Sequence, residues 1–190
     1  MPALPIAQPV FLVGFMGCGK TTLGGPVAAM LGRRFIDLDE WIEQRTGQTV
    51  AALFSTVGES GFRLLEREAL QAVCGMGDVV VACGGGTPCR PGAMELMNAC
   101  GVTVWLTASE QCLVGRLLLP DQKAKRPLVS SLAADEVSVL VHRLLAERSP
   151  YYARATLRFD ATELDTPAQI AATARRLCRQ LKPLGIGETK

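Results

Sequence analysis

The sequence predicts an α/β fold, a wound sheet of five strands with helices between them. Short apolar runs alternate with helical patterns from one end of the chain to the other. A glycine-rich phosphate-binding pattern directly follows the first apolar run, which is typical of nucleotide-binding proteins of this class. The predicted strands are residues 10–13, 35–38, 79–83, 102–106 and 157–159.

Helices are expected between the strands. Apolar residues recur at helical spacing at Phe62, Leu65, Ala69, Leu70 and Val73, and again at Val137, Leu140, Val141, Leu144 and Leu145. Gly24, Gly25 and Pro26 fall in the helix after the glycine-rich pattern, where proline lacks a backbone donor, so we expect a bend. Residues 120–130 are polar, contain helix breakers and lack periodicity, which predicts a mobile loop.

The composition indicates one ordinary domain. The chain has 190 residues and is 48% hydrophobic, which suits a single core. The formal net charge is +2, from 20 basic and 18 acidic residues that are interspersed, so there is no basic field for duplex nucleic acid. No apolar run reaches the ~18 residues of a membrane helix, and the first residues do not resemble a signal sequence. We expect a cytoplasmic monomer that binds neither nucleic acid nor membranes.

The cysteines predict neither a disulfide framework nor a zinc site. The chain has seven cysteines, scattered and without a C-x-x-C pair, and one histidine, His142. Most of the thiols are interpreted as small, semi-apolar side chains that stay reduced in the cytosol. Cys18 differs from them because it lies within the glycine-rich pattern, near the N–H groups of a helix end.

Residues 14–21, GFMGCGKT, match the pattern G-x-x-x-x-G-K-[ST] of a phosphate-binding loop (P-loop) at every fixed position. Lys20 is expected to bridge the β- and γ-phosphates of a nucleotide, and the Thr21 hydroxyl to bind Mg2+. Backbone N–H groups and the helix N-terminus would face the anion. The predicted nucleotide contacts here are Gly17, Cys18, Gly19, Lys20, Thr21 and Thr22. The alternative is a glycine-rich turn that happens to contain Lys-Thr.

Missing motifs disfavour other classes of P-loop protein. There is no N-K-x-D segment to read guanine, and no D-x-x-G follows the P-loop, which argues against a GTPase switch. A chain of 190 residues also has no room for the additional modules of a helicase or transporter ATPase. A compact phosphotransferase remains.

Two carboxylates lie at the end of the second predicted strand, where ligands of open α/β sheets bind. Asp37 and Asp39 are two residues apart, and in an extended chain such side chains point the same way. One of them would hold Mg2+ through water, and the other would take the proton of the acceptor hydroxyl. The alternative is that Asp39 caps a solvated helix over residues 40–45.

Three arginines are candidates for anion recognition. Guanidinium groups bind carboxylates and phosphates bidentately, so Arg63, Arg126 and Arg148 would together suit a substrate with one carboxylate and a phosphate in transfer. Taken singly, each of them can instead lie on a solvated face.

Gly84, Gly85 and Gly86 end a predicted buried strand. Glycine has poor β propensity, so three in succession favour close packing of a substrate ring against the main chain. A plain tight turn is the alternative.

Six segments occur in an order that resembles the shikimate kinase family. They are GFMGCGKTT, FIDLDEWIEQRTG, GESGFRLLERE, VVACGGGT, KRPLV and ERSPYY. The resemblance covers residues 9–182, and although many kinases share the first segment, the ordered set is specific. It implies a nucleoside monophosphate kinase-like fold, with a five-stranded parallel sheet flanked by helices. Residues 1–190 would form a single domain with a substrate-binding insertion at residues 39–65 and a lid at residues 119–131.

The resemblance implies the reaction of ATP with shikimate to give ADP and 3-phosphoshikimate, a step toward chorismate and the aromatic amino acids. The residues that it implies for the acceptor are Asp39, Arg63, Gly84, Gly85, Gly86 and Arg148. Those implied for catalysis are Asp39, as the base, with Lys20 and Arg126. Thr21 and Asp37 would hold Mg2+. Arg116, Arg126 and Pro167 would complete the ATP site.

Two departures from the family pattern are visible. Gly25 stands where members often carry arginine, and residues 116–126 form a longer stretch than usual, which affects the adenine contact rather than the chemistry. Two alternative functions stay open. One is a kinase of another small acceptor, of gluconate or nucleoside monophosphate type, and the other is an ATP-binding module without transfer activity.

Overall fold

The computed structural model describes residues 8–124 and 126–187, and it confirms the predicted fold class. Five parallel strands form one sheet in the order β2-β3-β1-β4-β5. The strands are β1 Val10–Val13, β2 Arg34–Asp37, β3 Val79–Ala82, β4 Val102–Thr107 and β5 Leu157–Asp160. Every predicted strand is therefore present, with bounds within one residue of the prediction.

Helices connect the strands and cover both faces of the sheet. They are α1 Lys20–Leu31, α2 Leu38–Thr46, α3 Val50–Cys74, α4 Ala93–Cys100, α5 Glu110–Leu118, α6 Pro120–Ala124, α7 Pro127–Ser130, α8 Ala134–Tyr152 and α9 Pro167–Leu181. Short 3-10 helices occupy Thr87–Cys89 and Lys182–Leu184. Within residues 8–124 and 126–187, no helix has both the length and the apolar character needed to cross a bilayer.

The two faces of the central strand pack into separate cores. Val10 and Leu12 lie with helices α1, α5, α8 and α9 on one face, whereas Phe11 and Val13 lie with α2, α3 and α4 on the other. Successive side chains of a strand point to opposite faces, and a parallel sheet is covered on both. The apolar run of β1 therefore fills both cores.

The sheet order brings three chain segments to one edge. Strand β1 lies between β3 and β4, and β2 lies beside β3. The P-loop follows β1, the two aspartates end β2, and the three glycines follow β3. Because the strands are parallel, these segments meet at the carboxyl edge of the sheet, where ligands of open α/β sheets bind.

Helix α1 packs closely against β2 at a glycine. A Cβ atom at Gly24 would overlap the ring of Phe35, so the absence of a side chain lets the strand approach the helix. The helix itself runs from Lys20 to Leu31 with Pro26 inside it, so the expected bend does not interrupt it. Gly24 is thus a packing position.

Gly24→Ala is expected to lower the free energy of unfolding by about 1–3 kcal/mol, because an added methyl group must displace a ring in a close-packed core. Gly25→Ala is the matched control. Nothing lies within 4 Å of a Cβ at Gly25, and alanine is favoured over glycine in a helix by about 1 kcal/mol, so this variant should be more stable. Urea titration of both variants measures the difference, and equal effects would contradict the packing explanation.

Residues 120–130 differ from the predicted loop, because they contain the short helices α6 and α7. Pro120 and Pro127 each begin one of these helices, and the first helical position tolerates proline since its N–H has no partner within the helix. The breakers therefore start helices here. Val129 is fully buried, so it anchors α7 to the core. Lys125, in the KRPLV segment, lies outside the described residues.

Candidate active site

A cleft of about 800 Å3 opens at the carboxyl edge of the sheet. Its volume is within the range of about 300–1,000 Å3 that is usual for small-molecule sites. Predicted site residues that line it are Gly17, Gly19, Lys20, Thr21, Thr22, Asp37, Asp39, Gly84, Gly85, Arg116 and Arg126. Lining residues that were not predicted are Met16, Glu40, Cys83, Leu119, Gln122, Leu164 and Asp165. The cleft thus gathers residues from segments far apart in the chain.

The P-loop has the predicted strand–loop–helix context. Helix α1 begins at Lys20, and its N-cap Gly19 has a φ of 99°. A Cβ at Gly19 would also overlap the side chain of Leu164, so this position needs glycine both for its backbone and for space. The first N–H groups of α1 have no acceptors within the helix. They and the positive end of the helix dipole are available to an anion in the cleft.

The Lys20 side chain folds back over its own loop. Its Nζ donates hydrogen bonds to the carbonyl oxygens of Gly14 and Phe15, each at 2.9 Å. These contacts fix the ammonium group beside the helix N-terminus, in the cleft. The loop therefore presents a positive charge together with backbone donors, which is what a phosphate chain requires.

Thr21 and Asp37 form a pair of oxygen donors. Thr21 Oγ1 donates to Asp37 Oδ2 at 2.8 Å. A hydroxyl and a carboxylate at this spacing fit Mg2+, which binds few protein oxygens and takes its other ligands from phosphates and water. Among the described residues there is no cluster of three or more His, Cys, Asp or Glu side chains placed to hold a metal. The Thr21 hydroxyl and the Asp37 carboxylate are the donor set that fits Mg2+.

The sequence analysis placed the two aspartates on one extended chain, and this prediction is wrong. Strand β2 ends at Asp37, whose side chain caps α2 by accepting from the backbone N–H of Asp39 at 3.1 Å. Asp39 therefore lies in the first turn of α2, and the alternative with Asp39 as the N-cap is also wrong. Both side chains still line the cleft, because the chain turns into the helix at its edge.

The Asp39 carboxyl group has a pKa raised to about 6. Burial is the largest cause, the negative charges of Asp37 and Glu66 add to it, and Lys20 opposes it. The Asp39 and Glu66 carboxylates border the same space at Gly84, where a Cβ would lie 3.4 Å from Asp39 Oδ1 and 3.2 Å from Glu66 Oε1. A carboxylate with this pKa is ionised at neutral pH and is a stronger base than an ordinary one.

The raised pKa predicts a pH-dependent stability. Folding favours the neutral form of Asp39. Its stabilising contribution to the free energy of unfolding is therefore fully present below pH 3.8 and is lost as the pH rises through about 6. The loss amounts to about 3 kcal/mol at pH 8. Asp39→Asn stays neutral, so the Tm of the variant should exceed that of the wild type by more at pH 8 than at pH 5. Thermal melts at both values test this, and a constant difference would contradict the assignment.

Tyr152 anchors the glycine loop that follows β3. Its side chain is fully buried, and its hydroxyl donates to the carbonyl oxygen of Gly85 at 2.6 Å. Burial raises the pKa of Tyr152, so the phenol stays protonated and remains a donor. Arg148 interacts with this hydroxyl, and its Nη1 lies 3.8 Å from the Cβ position of Gly85. The predicted Arg148 therefore borders the glycine loop, although it does not line the cleft itself.

Arg63 is held by carboxylates of its own helix. It forms ion pairs with Glu59 at 3.1 Å and with Glu66 at 3.0 Å. Glu66 is only 3% exposed, and its other oxygen accepts a hydrogen bond from the Thr87 hydroxyl, beside the glycine loop. Glu66 thus links Arg63 to Thr87, beside the glycine loop, although the predicted Arg63 does not itself line the cleft. The sequence analysis predicted neither Glu66 nor Thr87 as a site residue. Glu66 could have been found, because it is a carboxylate within the apolar stripe of a predicted helix.

Arg116 joins the P-loop to the loop after β5. Its guanidinium donates to the carbonyl oxygens of Thr162 at 2.6 Å, Ala161 at 3.3 Å and Gly17 at 3.4 Å. The predicted Pro167 is the first residue of α9 and does not line the cleft. Leu164 and Asp165, earlier in the same loop, line it instead.

Two other predicted residues lie beside the cleft. The Cys18 side chain is buried in the core, and its backbone N–H donates to the Phe15 carbonyl oxygen at 3.2 Å. Gly86 follows the two glycines that line the cleft and is the N-cap of the 3-10 helix at Thr87–Cys89. The cleft therefore receives no Cys18 thiol.

Arg126 reaches the cleft from the segment of α6 and α7. Its Nη1 donates to both the backbone oxygen and the Oε1 of Gln122, each at 2.8 Å. The Arg126 guanidinium is partly removed from water, and this burial lowers its pKa from the usual value. Arg126 therefore brings a cation to the same cleft as the P-loop.

Comparison with known proteins adds independent findings. The family model described as shikimate kinase matches residues 16–179. The shikimate kinase of Phocaeicola vulgatus is 44% identical over 172 residues, which cover 90% of this chain and 97% of that protein. The shikimate kinase of Bacteroides thetaiotaomicron is 42% identical over 168 residues, which cover 88% of this chain and 95% of that protein.

Solved structures agree with these relatives. A crystal structure of shikimate kinase from Bacteroides thetaiotaomicron matches with a TM-score of 0.86 at 41% identity, covering 92% of this chain and 98% of that one. Shikimate kinase from Acinetobacter baumannii, solved in complex with shikimate, matches with a TM-score of 0.81 at 28% identity and 94% coverage of each chain. A gluconokinase from Sinorhizobium meliloti, at 16% identity and a TM-score of 0.51, shows the fold alone. Both kinds of comparison lead to one conclusion, that this chain belongs to the shikimate kinase family.

Proposed function

We propose that this chain transfers the γ-phosphate of ATP to a hydroxyl of shikimate, giving ADP and 3-phosphoshikimate on the route to chorismate and the aromatic amino acids. The observation that carries this proposal is the single cleft that brings together Lys20, Asp39 and Arg126. Phosphoryl transfer needs a phosphate cradle, a group that orients the nucleophile and a cation on the transferring phosphate. The family match supports shikimate as the acceptor.

The P-loop would bind the phosphates of ATP. Its backbone donors and the start of α1 supply the cradle, and Lys20 neutralises charge on the β- and γ-phosphates. Mg2+, held by Thr21 and Asp37, would supply further neutralisation of the phosphates. Arg116 and the neighbouring loop residues Leu164 and Asp165 would flank the adenosine end of ATP, with Pro167 next to them at the start of α9.

Asp39 would orient the acceptor hydroxyl and take its proton. Its pKa of about 6 leaves it ionised at neutral pH yet more basic than an ordinary aspartate. It also borders Gly84, against which the acceptor ring would lie. The acceptor oxygen would therefore give its proton to Asp39 and form a bond to the γ-phosphorus of ATP, while the bond between that phosphorus and the β–γ bridging oxygen breaks and ADP leaves.

The carboxylate of shikimate would be held by Arg63 and Arg148. Arg63 is fixed by Glu66, and Arg148 lies at Gly85. Guanidinium groups bind carboxylates through parallel hydrogen bonds, so this pair would set the direction of the ring. Gly84, Gly85 and Gly86 would allow the ring to approach the main chain.

The chain would work as one domain with two specialised segments. Residues 39–65, in α2 and the first part of α3, would form the substrate-binding insertion. Residues 119–131 would form a lid whose Arg126 contacts the transferring phosphate, and closure would exclude water from it. We also propose that the chain acts on small molecules as a cytoplasmic monomer. Its net charge of only +2 is consistent with small-molecule partners rather than nucleic acid.

An acceptor panel tests the proposed function. A coupled assay measures the release of ADP from MgATP. Release is expected with shikimate and not with gluconate, a nucleoside monophosphate or the methyl ester of shikimate. The reason is that Arg63 and Arg148 require a carboxylate on the shikimate ring. Faster release with gluconate or a nucleotide would contradict the choice of acceptor. ATP binding without release for any acceptor would instead support a module without transfer activity.

A further inference from the structure

We propose that Arg90 is a third guanidinium of the acceptor site, which binds the acceptor carboxylate together with Arg63 and so determines specificity. This inference rests on the proposed function. Arg90 follows the 3-10 helix Thr87–Cys89, directly after the glycine loop. Its backbone N–H donates to the Thr87 carbonyl oxygen at 3.2 Å, which fixes the start of its side chain.

Arg90 and Arg63 already converge on one carboxylate oxygen. Glu59 Oε1 accepts hydrogen bonds from Arg63 Nη2 at 3.1 Å, from Arg63 Nε at 3.3 Å and from Arg90 Nη2 at 3.3 Å. Two guanidinium groups that share an oxygen atom define a space of the right size and charge for a carboxylate. In the described structure, the protein's own Glu59 supplies that carboxylate.

Glu59 is the exchangeable member of this group. Its side chain is 64% exposed, against 25% for Arg63 and 42% for Arg90. An ion pair with so exposed a carboxylate is weak, because solvent screens it. Arg63 is held separately by the buried Glu66. The carboxylate of an acceptor can therefore replace Glu59 while the Arg63 guanidinium stays in place.

Arg90 also faces the glycine loop against which the acceptor would lie. Its Nη2 is 3.9 Å from the Cβ position of Gly86, and the Nη1 of Arg148 is 3.8 Å from that of Gly85. Two guanidinium groups therefore approach neighbouring residues of one loop. The Nε of Arg90 is buried and has no hydrogen-bond partner among the described residues, and such a donor gains from an added acceptor.

Steady-state kinetics of Arg90→Gln test this inference. The KM for shikimate is expected to rise by about 10-fold or more, because a hydrogen bond to a charged group is lost, while kcat and the KM for ATP change little. Arg90→Lys keeps the positive charge but lacks the paired N–H donors of the planar guanidinium, so it should give an intermediate KM for shikimate. Arg67→Gln, an exposed arginine on α3, is the matched control and should behave as the wild type.

Glu59→Gln separates recognition from positioning. If Arg90 binds the acceptor, Glu59→Gln should leave the KM for shikimate unchanged or lower it, because a competing carboxylate is gone. If Arg90 only holds Glu59, then Glu59→Gln should raise the KM for shikimate as much as Arg90→Gln does. The double variant with both substitutions should then have the same KM as either single variant. The second result would overturn the inference.

The neutral methyl ester of shikimate supplies a binding probe that does not depend on turnover. Displacement of labelled shikimate by the ester should be equally weak for the wild type and Arg90→Gln, since neither can use the missing charge. Two results would contradict the role of Arg90. One is a KM for shikimate in Arg90→Gln that equals the wild-type value, and the other is an equal loss of affinity for shikimate and for its methyl ester. Failure of the wild type to phosphorylate shikimate would contradict the proposed function itself, which is a different outcome.

Discussion

Asp39→Asn is expected to lower kcat by about 100- to 10,000-fold, because the amide cannot accept the proton of the acceptor hydroxyl. The carboxylate lines the cleft and has a pKa raised to about 6, mainly by burial. This position and this pKa suit the proposed transfer of a proton near neutral pH. Coupled kinetics with shikimate measure the loss in turnover.

Nucleotide binding provides the internal control for this variant. The Kd for MgATP, measured by calorimetry, should change little, because we propose that Lys20 and the start of α1 make the phosphate contacts. Glu68→Gln, an exposed carboxylate on α3, should retain full turnover. Near-normal turnover of Asp39→Asn would remove this residue from the mechanism, whereas loss of MgATP binding would assign it to the nucleotide site.

Arg126→Ala is expected to lower kcat by about 1,000-fold or more, the range known for cations that contact a phosphoryl group in transfer. Arg126 lines the same cleft as the P-loop, and Gln122 fixes its Nη1 with two hydrogen bonds of 2.8 Å. Stabilisation of the transition state predicts a large change in kcat with a smaller change in the KM for ATP. Steady-state kinetics separate the two constants.

Arg143→Ala is the matched control for this prediction, since Arg143 is exposed on α8. It should leave both constants unchanged. A loss of kcat below ~10-fold in Arg126→Ala would argue against contact with the transferring phosphate. A large rise in the KM for ATP at constant kcat would assign Arg126 to nucleotide binding alone.

The parts of the fold that depend on local sequence were predictable. Strands were visible as apolar runs because a parallel sheet is buried on both faces, and all five lie within one residue of the prediction. The P-loop was visible because its glycines, Lys20 and Thr21 are adjacent in sequence. Each of these features follows from contacts within a few residues.

Local rules also produced the errors. The two prolines of residues 120–130 predicted a loop, yet proline at the first helical position begins α6 and α7. Asp37 and Asp39 were placed on an extended chain, whereas Asp37 caps the helix that starts there. In both places one residue type suits two conformations, and tertiary packing decides between them.

Contacts between distant segments were not predictable from the sequence. Thr87 bonds to Glu66 across 21 residues, and Tyr152 bonds to Gly85 across 67. Arg90 meets Glu59 across 31 residues. Most of these residues lie in the segments that carry the family resemblance, but the sequence does not tell which segments touch, so only the folded chain shows these contacts.

The central claim, that this cleft passes phosphate from ATP to shikimate, is tested most directly by quantifying both products of one reaction. Purified protein with MgATP and shikimate should form ADP and phosphorylated shikimate in equal amounts, as counted by 31P NMR. Without shikimate, ADP should form far more slowly. ADP production that is independent of shikimate, or the absence of a phosphorylated acceptor, would contradict the claim.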